Sequence, residues 1–176
     1  MDAHTALTFV KQLAAYPGVV PSMLLLGGWI AAIRLCRNSF WMLSIISLPG
    51  TIAHEGSHLV VAILVLARPT SFSVWPRRKG NAWEFGAVEM TNAHVFNAAF
   101  VALAPLLLLP IAGVFIYLAA GQWAQAEYLG WVALGYLGAT SLYAATPSAQ
   151  DFSMGGASLV FYTILVSGAV YLVHRW

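Results

Sequence analysis

Charged side chains are scarce in this chain, and only 8% of its 176 residues are Asp, Glu, Lys or Arg. Soluble domains average about 25% charged residues, so this composition excludes an ordinary soluble domain. The 8 Lys and Arg residues are split among separate segments and form no stripe that would follow a nucleic-acid backbone, so we expect no nucleic-acid partner. The single cysteine, Cys36, excludes an internal disulfide.

Apolar sequence dominates instead: 60% of the residues are hydrophobic, and the mean hydropathy is +0.78. Several stretches approach the ~20 apolar residues that a membrane-spanning helix needs. We therefore expect an all-α polytopic membrane protein, a single domain over residues 1–176 in contact with the lipid bilayer. Pro49-Gly50 is the expected break in its second span. About five transmembrane helices are predicted, at residues 19–35, 40–67, 95–119, 128–145 and 155–173, after a short surface helix at residues 3–15.

Residues 70–90 have a different pattern, which predicts a small membrane-associated β-hairpin after the second span. Residues 71–74 and 83–85 alternate between apolar and polar side chains, residues 76–81 have turn composition, and a bulge is expected at Gly86. The distribution of Lys and Arg places this hairpin and the 146–154 loop on the cytoplasmic side of the membrane. The edge of such a hairpin needs a covering strand.

A five-residue motif, His54-Glu55-Gly56-Ser57-His58, lies within the second apolar run. On a helix, residues four apart share one face, so the two imidazoles can bind one Zn²⁺. Glu55 is then placed beside the metal, where it can accept a proton from water. Ionisable side chains in mid-span are costly unless they pair, and a metal ion is a natural partner, which argues against a chance occurrence of the motif.

Zinc hydrolases generally use three protein ligands and leave one position for water. Asp151 is the best third candidate, since it lies where the chain re-enters the membrane. Taken alone, Asp151 is also a good helix N-cap, but beside the motif the ligand role is favoured. His94 is the rival third ligand.

Four hydroxyl residues could line a path for water, although bonding to their own helix backbone is the favoured role for most of them: Ser44, Ser47, Thr51 and Ser57.

These features resemble the site-2 protease family of intramembrane zinc metalloproteases. The resemblance depends on the His54–His58 motif in a span, the apolar hairpin after it, and Asp151 after two further spans. Ala104-Pro105-Leu106-Leu107 is also similar to the family's small-Pro-apolar segment. The resemblance covers residues 40–165, which would be the catalytic core, and residues 1–38 would be an accessory region with the first span.

The resemblance implies a divergent, compact member of that family. Thr146-Pro147 stands where the family usually has Asn-Pro, and Phe152 stands where it usually has Gly. The implied cofactor is one Zn²⁺ ion held by two histidines and the aspartate, with Glu55 as general base. Thr146 or Ser148 would donate to the oxyanion or orient the substrate.

The implied reaction is hydrolysis of peptide bonds in or near a transmembrane helix of a membrane-protein substrate. The substrate helix would have to unwind locally, and the hairpin edge could receive the extended segment. We expect an integral, multi-pass protein, of a prokaryotic cytoplasmic membrane, with its active site nearer the cytoplasmic side; a regulatory membrane partner is left open.

Two other functions are compatible with the same residues. One is a catalytically silent, metal-binding membrane subunit that binds a partner helix, although such a subunit would need no Glu55. The other is a small transporter that moves metal ions or protons with its buried His and Asp residues. The lack of visible inverted repeats argues against the transporter.

Overall fold

The computed structural model of the chain describes residues 16–75, 77–79, 82–84 and 86–175. The surface helix expected at residues 3–15 lies outside this part. The described helices are α1 (Val19–Leu35), α2 (Phe40–Ile46), α3 (Leu48–Leu64), α4 (Ala98–Ala102), α5 (Leu108–Ala124), α6 (Tyr128–Ala144) and α7 (Ala149–His174), with 3-10 turns at Cys36–Asn38 and Ala104–Leu107. The described strands are β1 (Pro69–Ser73), β2 (Arg77–Lys79), β3 (Ala82–Glu84) and β4 (Ala87–Met90).

The described residues form two compact units. One consists of the described parts of Met1–Gly50 and Leu108–Ala144, and the other of the described parts of Thr51–Leu107 and Ala145–Trp176. The assignment of residues 1–176 to a single domain stays a prediction.

In the first unit, α1, α5 and α6 pack against one another. Gly18 precedes α1 in the left-handed region at φ 89°, and a Cβ there would collide with the backbone of Ala120. Trp131 on α6 donates its indole N–H to Ser22 on α1 over 3.0 Å. The bounds of α1 are those expected from the sequence.

Three of the described helical segments are long and apolar enough to cross a membrane: Val19–Asn38, Ala104–Ala124 and Ala149–His174. The run at residues 40–67 is broken, as expected, although the break lies at Ser47 rather than at Pro49-Gly50. Pro49 lies in the first turn of α3, where proline is tolerated, and its ring disfavours continuing α2 through residue 45. Crossings by the 40–67 run and by the 17-residue α6 stay predictions.

The continuous span expected at residues 95–119 is wrong. The chain forms the short helix α4, a 3-10 turn at Ala104–Leu107, and then the longer helix α5. Pro105 has no N–H for a bond to the Val101 carbonyl, and its ring crowds that carbonyl, so an α-helix cannot run through this point undisturbed. The apolar helix is therefore displaced towards the C-terminus.

The hairpin is present, but its strands differ from the expected ones. β1 pairs antiparallel with β4, and β2 pairs antiparallel with β3, so residues 77–79 form a strand where a turn was expected. The register shift lies between Pro69 and Ser71, not at Gly86 as expected. Gly86 lies outside both strand pairs and is close to the Glu55 side chain.

In the second unit, α4 packs closely against α7. A Cβ at Gly155 would lie 2.4 Å from the Cβ of Ala102, so glycine permits the close approach. Ser158, which is 1% exposed, donates to the Val95 carbonyl over 2.6 Å and accepts from the Ala99 N–H over 2.9 Å. These contacts fix the start of α7 beside α4. The buried apolar cluster of this unit contains Ala62, Ala67 and Val101.

A network of polar side chains closes the C-terminal end of α3. Asn92 donates to the Leu66 carbonyl over 2.9 Å. Asn97, which is 4% exposed, donates to the Asn92 carbonyl over 2.9 Å and accepts from the His94 N–H over 2.8 Å. Because buried polar groups need partners, this network satisfies the backbone where the helix ends.

Candidate metal centre

Helix α3 brings His54 and His58 together, as their spacing predicts. The ring centroids are 4.8 Å apart, and the two Nε2 atoms are 3.2 Å apart. His58 is buried, with 4% of its surface exposed, and the His54 side chain is 14% exposed. Two imidazole nitrogens therefore point to the same place inside the second unit.

The start of α7 brings Asp151 to the same place. Its Oδ1 lies 3.1 Å from His58 Nε2, and its Oδ2 lies 3.5 Å from His54 Nε2. Asp151 is 7% exposed, so the carboxylate is buried beside the imidazoles. The structure thus places together the three ligands expected from the sequence.

Asp151 also takes part in capping helix α7, although it is not the N-cap residue itself. The N-cap of α7 is Ser148, whose Oγ accepts from the Asp151 N–H over 3.2 Å. In return, Asp151 Oδ2 accepts from the Ser148 N–H over 2.6 Å, which completes a capping box. The carboxylate is therefore held by the helix start while its other oxygen faces His58. The spacing Ser148-x-x-Asp151 is the sequence signal for this box, and sequence reasoning missed it.

The three side chains could hold one metal ion, since one ligand atom from each lies within 4.8 Å of the others. For N and O ligands about 2.0–2.2 Å from a tetrahedral ion, neighbouring ligand atoms should be about 3.4 Å apart. The observed separations are 3.1, 3.2 and 3.5 Å. The 3.1 Å and 3.5 Å distances end on different oxygens of Asp151, so the group is compatible with one ion but does not define a single set of three ligand atoms at tetrahedral spacing.

The hydrogen bonding of His58 supports a cation at this point. Its Nδ1 lies 2.8 Å from the Val101 carbonyl oxygen, which can only accept, so Nδ1 carries the proton. In the neutral ring, Nε2 is then a bare acceptor, yet it faces the Asp151 carboxylate. Two acceptors at 3.1 Å require a proton or a metal ion between them. A carbonyl partner on the distal ring nitrogen is also the usual arrangement for a metal-binding histidine.

Glu55 lies beside Gly86, which precedes β4. It is 9% exposed, and a Cβ built on Gly86 would lie 2.5–2.7 Å from its Cγ, Cδ and Oε1 atoms. Real Cβ contacts are essentially never shorter than 3.0 Å, so a larger residue at position 86 would require the Glu55 side chain to move. Sequence reasoning expected a bulge at Gly86 and gave no signal for this contact.

The remaining candidates lie elsewhere or have other partners. Thr146 is exposed in the segment before α7, and its oxyanion role stays a prediction. His94 is exposed and belongs to the network with Asn97, and the metal-ligand group found among the described residues does not include it. Backbone bonding, the favoured alternative for the hydroxyl residues, is confirmed for Ser44, Ser47 and Ser57, each of which donates to a carbonyl three or four residues earlier.

Comparisons with protein-family models, with curated proteins and with solved structures found no match to this chain. The resemblance to the site-2 protease family therefore stays an expectation drawn from the motif residues. What can be inferred about function depends on the geometry of the two histidines, Asp151 and Glu55.

Proposed function

We propose that this chain is an intramembrane zinc metalloprotease, similar to the site-2 protease family, that hydrolyses peptide bonds in or near transmembrane segments. The convergence of His54, His58 and Asp151 is the observation that carries the proposal. Two imidazoles and one carboxylate form a donor set found in hydrolytic zinc sites, where the fourth position is left for water or substrate. Glu55, between the two histidines in sequence, supplies the base that a purely structural site lacks.

Different residues would bind the metal, transfer the proton and orient the ligands. His54, His58 and Asp151 would hold the Zn²⁺, which would supply Lewis acidity to a water and to a substrate carbonyl. Glu55 accepts the proton of the attacking water and then passes it to the leaving amine. The Val101 carbonyl orients His58, and the capping box at Ser148 orients Asp151. Burial of these groups limits their contact with water and strengthens their interactions.

A membrane location is supported by the three helical segments that are long and apolar enough to cross a bilayer. Asp151 lies in the first turn of one of them, α7, and large apolar side chains along that helix are exposed, including Val160, Ile164 and Val173. We place the metal centre at bilayer depth near the cytoplasmic end of α7, where water can reach it. The lipid bilayer and a membrane-protein substrate are then its partners.

The hairpin is the proposed docking edge for the substrate. β1 and β4 form a two-stranded ladder, so each strand has a second side that can pair with an extended peptide. Thr70→Pro removes a backbone N–H from β1 and should slow cleavage several-fold. Zinc content should stay unchanged, because Thr70 lies at the register shift, where the β1–β4 ladder is already interrupted. Thr70→Val is the matched control, since it keeps the N–H. Equal cleavage by both variants would contradict the docking role.

Metal content and cleavage together test the proposal. The wild-type protein, purified in detergent, should contain about one zinc ion per chain by atomic emission, and Asp151→Ala should lose it. In liposomes, the wild type should cleave an internally quenched peptide with an apolar run of about 20 residues. Glu55→Gln should retain zinc and cleave at least about 100-fold more slowly.

The alternative functions predict different results. A catalytically silent subunit would bind zinc but would not cleave the peptide, and Glu55→Gln would behave as the wild type. A wild-type protein that contained no zinc would exclude both the protease and the metal-binding subunit.

A further inference from the structure

We propose that Pro105 is a positioning residue for the metal centre, because it keeps the Val101 carbonyl available to His58. The starting observation is the 2.8 Å contact between His58 Nδ1 and the Val101 oxygen. That contact is buried, and it crosses from α3 to the end of α4. It fixes both the tautomer of His58 and the direction of Nε2.

In an α-helix, a carbonyl accepts from the N–H four residues later. For Val101 that residue is Pro105, which has no N–H to donate. The helix α4 ends at Ala102, and the chain continues as a 3-10 turn from Ala104. The Val101 carbonyl therefore has no N–H four residues later to accept from, at the position where His58 needs an acceptor.

Few other donors can reach the Val101 carbonyl in place of His58. Val101 is 0% exposed, so no bulk water competes for its carbonyl. The N–H of Leu103 also approaches it, but that N–H bonds the Ala99 carbonyl at 3.0 Å, and a carbonyl oxygen has two lone pairs. Pro105 is itself fully buried, so its ring is held in place. With an N–H at position 105 the chain could continue α4 as an α-helix, and that N–H would then compete with the imidazole for the oxygen.

The inference requires a metal at the centre, but it does not require proteolysis, so its test uses zinc alone. The zinc dissociation constant is measured in detergent by competition with a chelator of known affinity. Pro105→Ala introduces the competing N–H and should raise this constant by about 10- to 100-fold, the usual effect of losing a partner of a metal-binding histidine. Pro110→Ala is the control, since Pro110 is exposed and its N–H would face the Leu106 carbonyl four residues earlier.

Pro105→Ala also removes part of a buried ring, so a second variant separates the two effects. Pro105→lactic acid, in which an ester oxygen replaces the N–H of that alanine, lacks the competing donor. It should bind zinc nearly as tightly as the wild type. The two variants share the same methyl side chain; the ester replaces the N–H with an oxygen and also makes the Ala104 carbonyl a weaker acceptor.

Each outcome decides the question. Weak binding by Pro105→Ala with recovery in the ester supports the inference, and so does an unfolded alanine variant beside a folded, zinc-binding ester. Equal weakening or unfolding of both variants assigns the effect to lost packing and overturns the inference. Unchanged affinity in Pro105→Ala overturns it as well. In ¹⁵N-histidine spectra of the zinc-loaded wild type, His58 must show a protonated Nδ1; a protonated Nε2 would also refute it.

Discussion

Replacing Gly86 with alanine should impair the proposed proteolysis while leaving zinc binding intact. The added methyl group would lie 2.6 Å from Glu55 Oε1, whereas ordinary contacts begin at 3.4 Å. The Glu55 carboxyl group must therefore move by the difference, about 0.8 Å. This movement is accessible, because the colliding atoms belong to the end of a flexible side chain rather than to backbone.

The consequence for rate follows from the proposed role of Glu55 as general base. A misplacement of about 1 Å in a reacting group can reduce the rate about 100-fold, which corresponds to ~2.7 kcal/mol in the barrier. We expect kcat of Gly86→Ala to fall by about that factor with KM unchanged, because the base acts in the transition state rather than in substrate binding. Zinc content should remain at the wild-type level.

The assay is cleavage of the quenched apolar peptide in liposomes, with kcat and KM determined separately. Gly156→Ala is the matched control, since nothing lies within 4 Å of a Cβ at that helical glycine. In a Glu55→Gln background, Gly86→Ala should have no further effect, because the base is already absent. A wild-type kcat in Gly86→Ala would refute the reasoning. A rise in KM alone, or a loss of zinc, would assign the hairpin contact to substrate binding or to the ligands instead.

Two further predictions concern the polar groups that support the centre. Ser148→Ala should lower the free energy of unfolding by about 1 kcal/mol and weaken zinc binding less than tenfold, and Ser148→Thr should restore both, because the hydroxyl caps α7. If Ser148 instead donates to an oxyanion, kcat should fall by about 10²–10³ at unchanged zinc affinity. Asn97→Ala should destabilise the protein by about 2 kcal/mol in chemical denaturation, because the Asn92 carbonyl and the His94 N–H lose their partner. Thr163→Ala is its control on an exposed face of α7, and equal stability of the two variants would show that the Asn97 network is dispensable.

Local chemistry explains what the sequence could predict about the fold. The bounds of α1 follow from Gly18 at one end and from Arg34 and Arg37 at the other, since these residues mark helix ends by their own conformation or charge. The sequence shows Pro105 within one long apolar run, but it does not show whether the proline bends the helix or ends it. Whether a proline bends a helix or ends it depends on what the released carbonyl meets, and for Val101 that partner is a histidine far away in sequence.

In the candidate site, too, local sequence signals could be predicted and contacts between residues far apart in the chain could not. The spacing of His54 and His58 identifies a shared helix face directly, and Asp151 could be chosen because buried carboxylates are rare in so apolar a chain. The contact of Gly86 with Glu55 could not be predicted, because it depends on the absence of a side chain. The bond from His58 to Val101 could not be predicted either, since a backbone carbonyl carries no residue-specific signal.

The candidate centre is assembled at two helix ends, and the scarcity of polar side chains gives a physical reason. Unsatisfied backbone groups cost several kcal/mol in an apolar environment, so each helix end in such a chain needs a partner. The end of α4 leaves the Val101 carbonyl, which His58 uses, and the start of α7 leaves N–H groups that Ser148 and Asp151 satisfy. The same side chains that could hold the metal thus also satisfy the backbone. A chain with 6 acidic residues and 5 histidines can in this way support both a metal site and its helix ends with few polar groups.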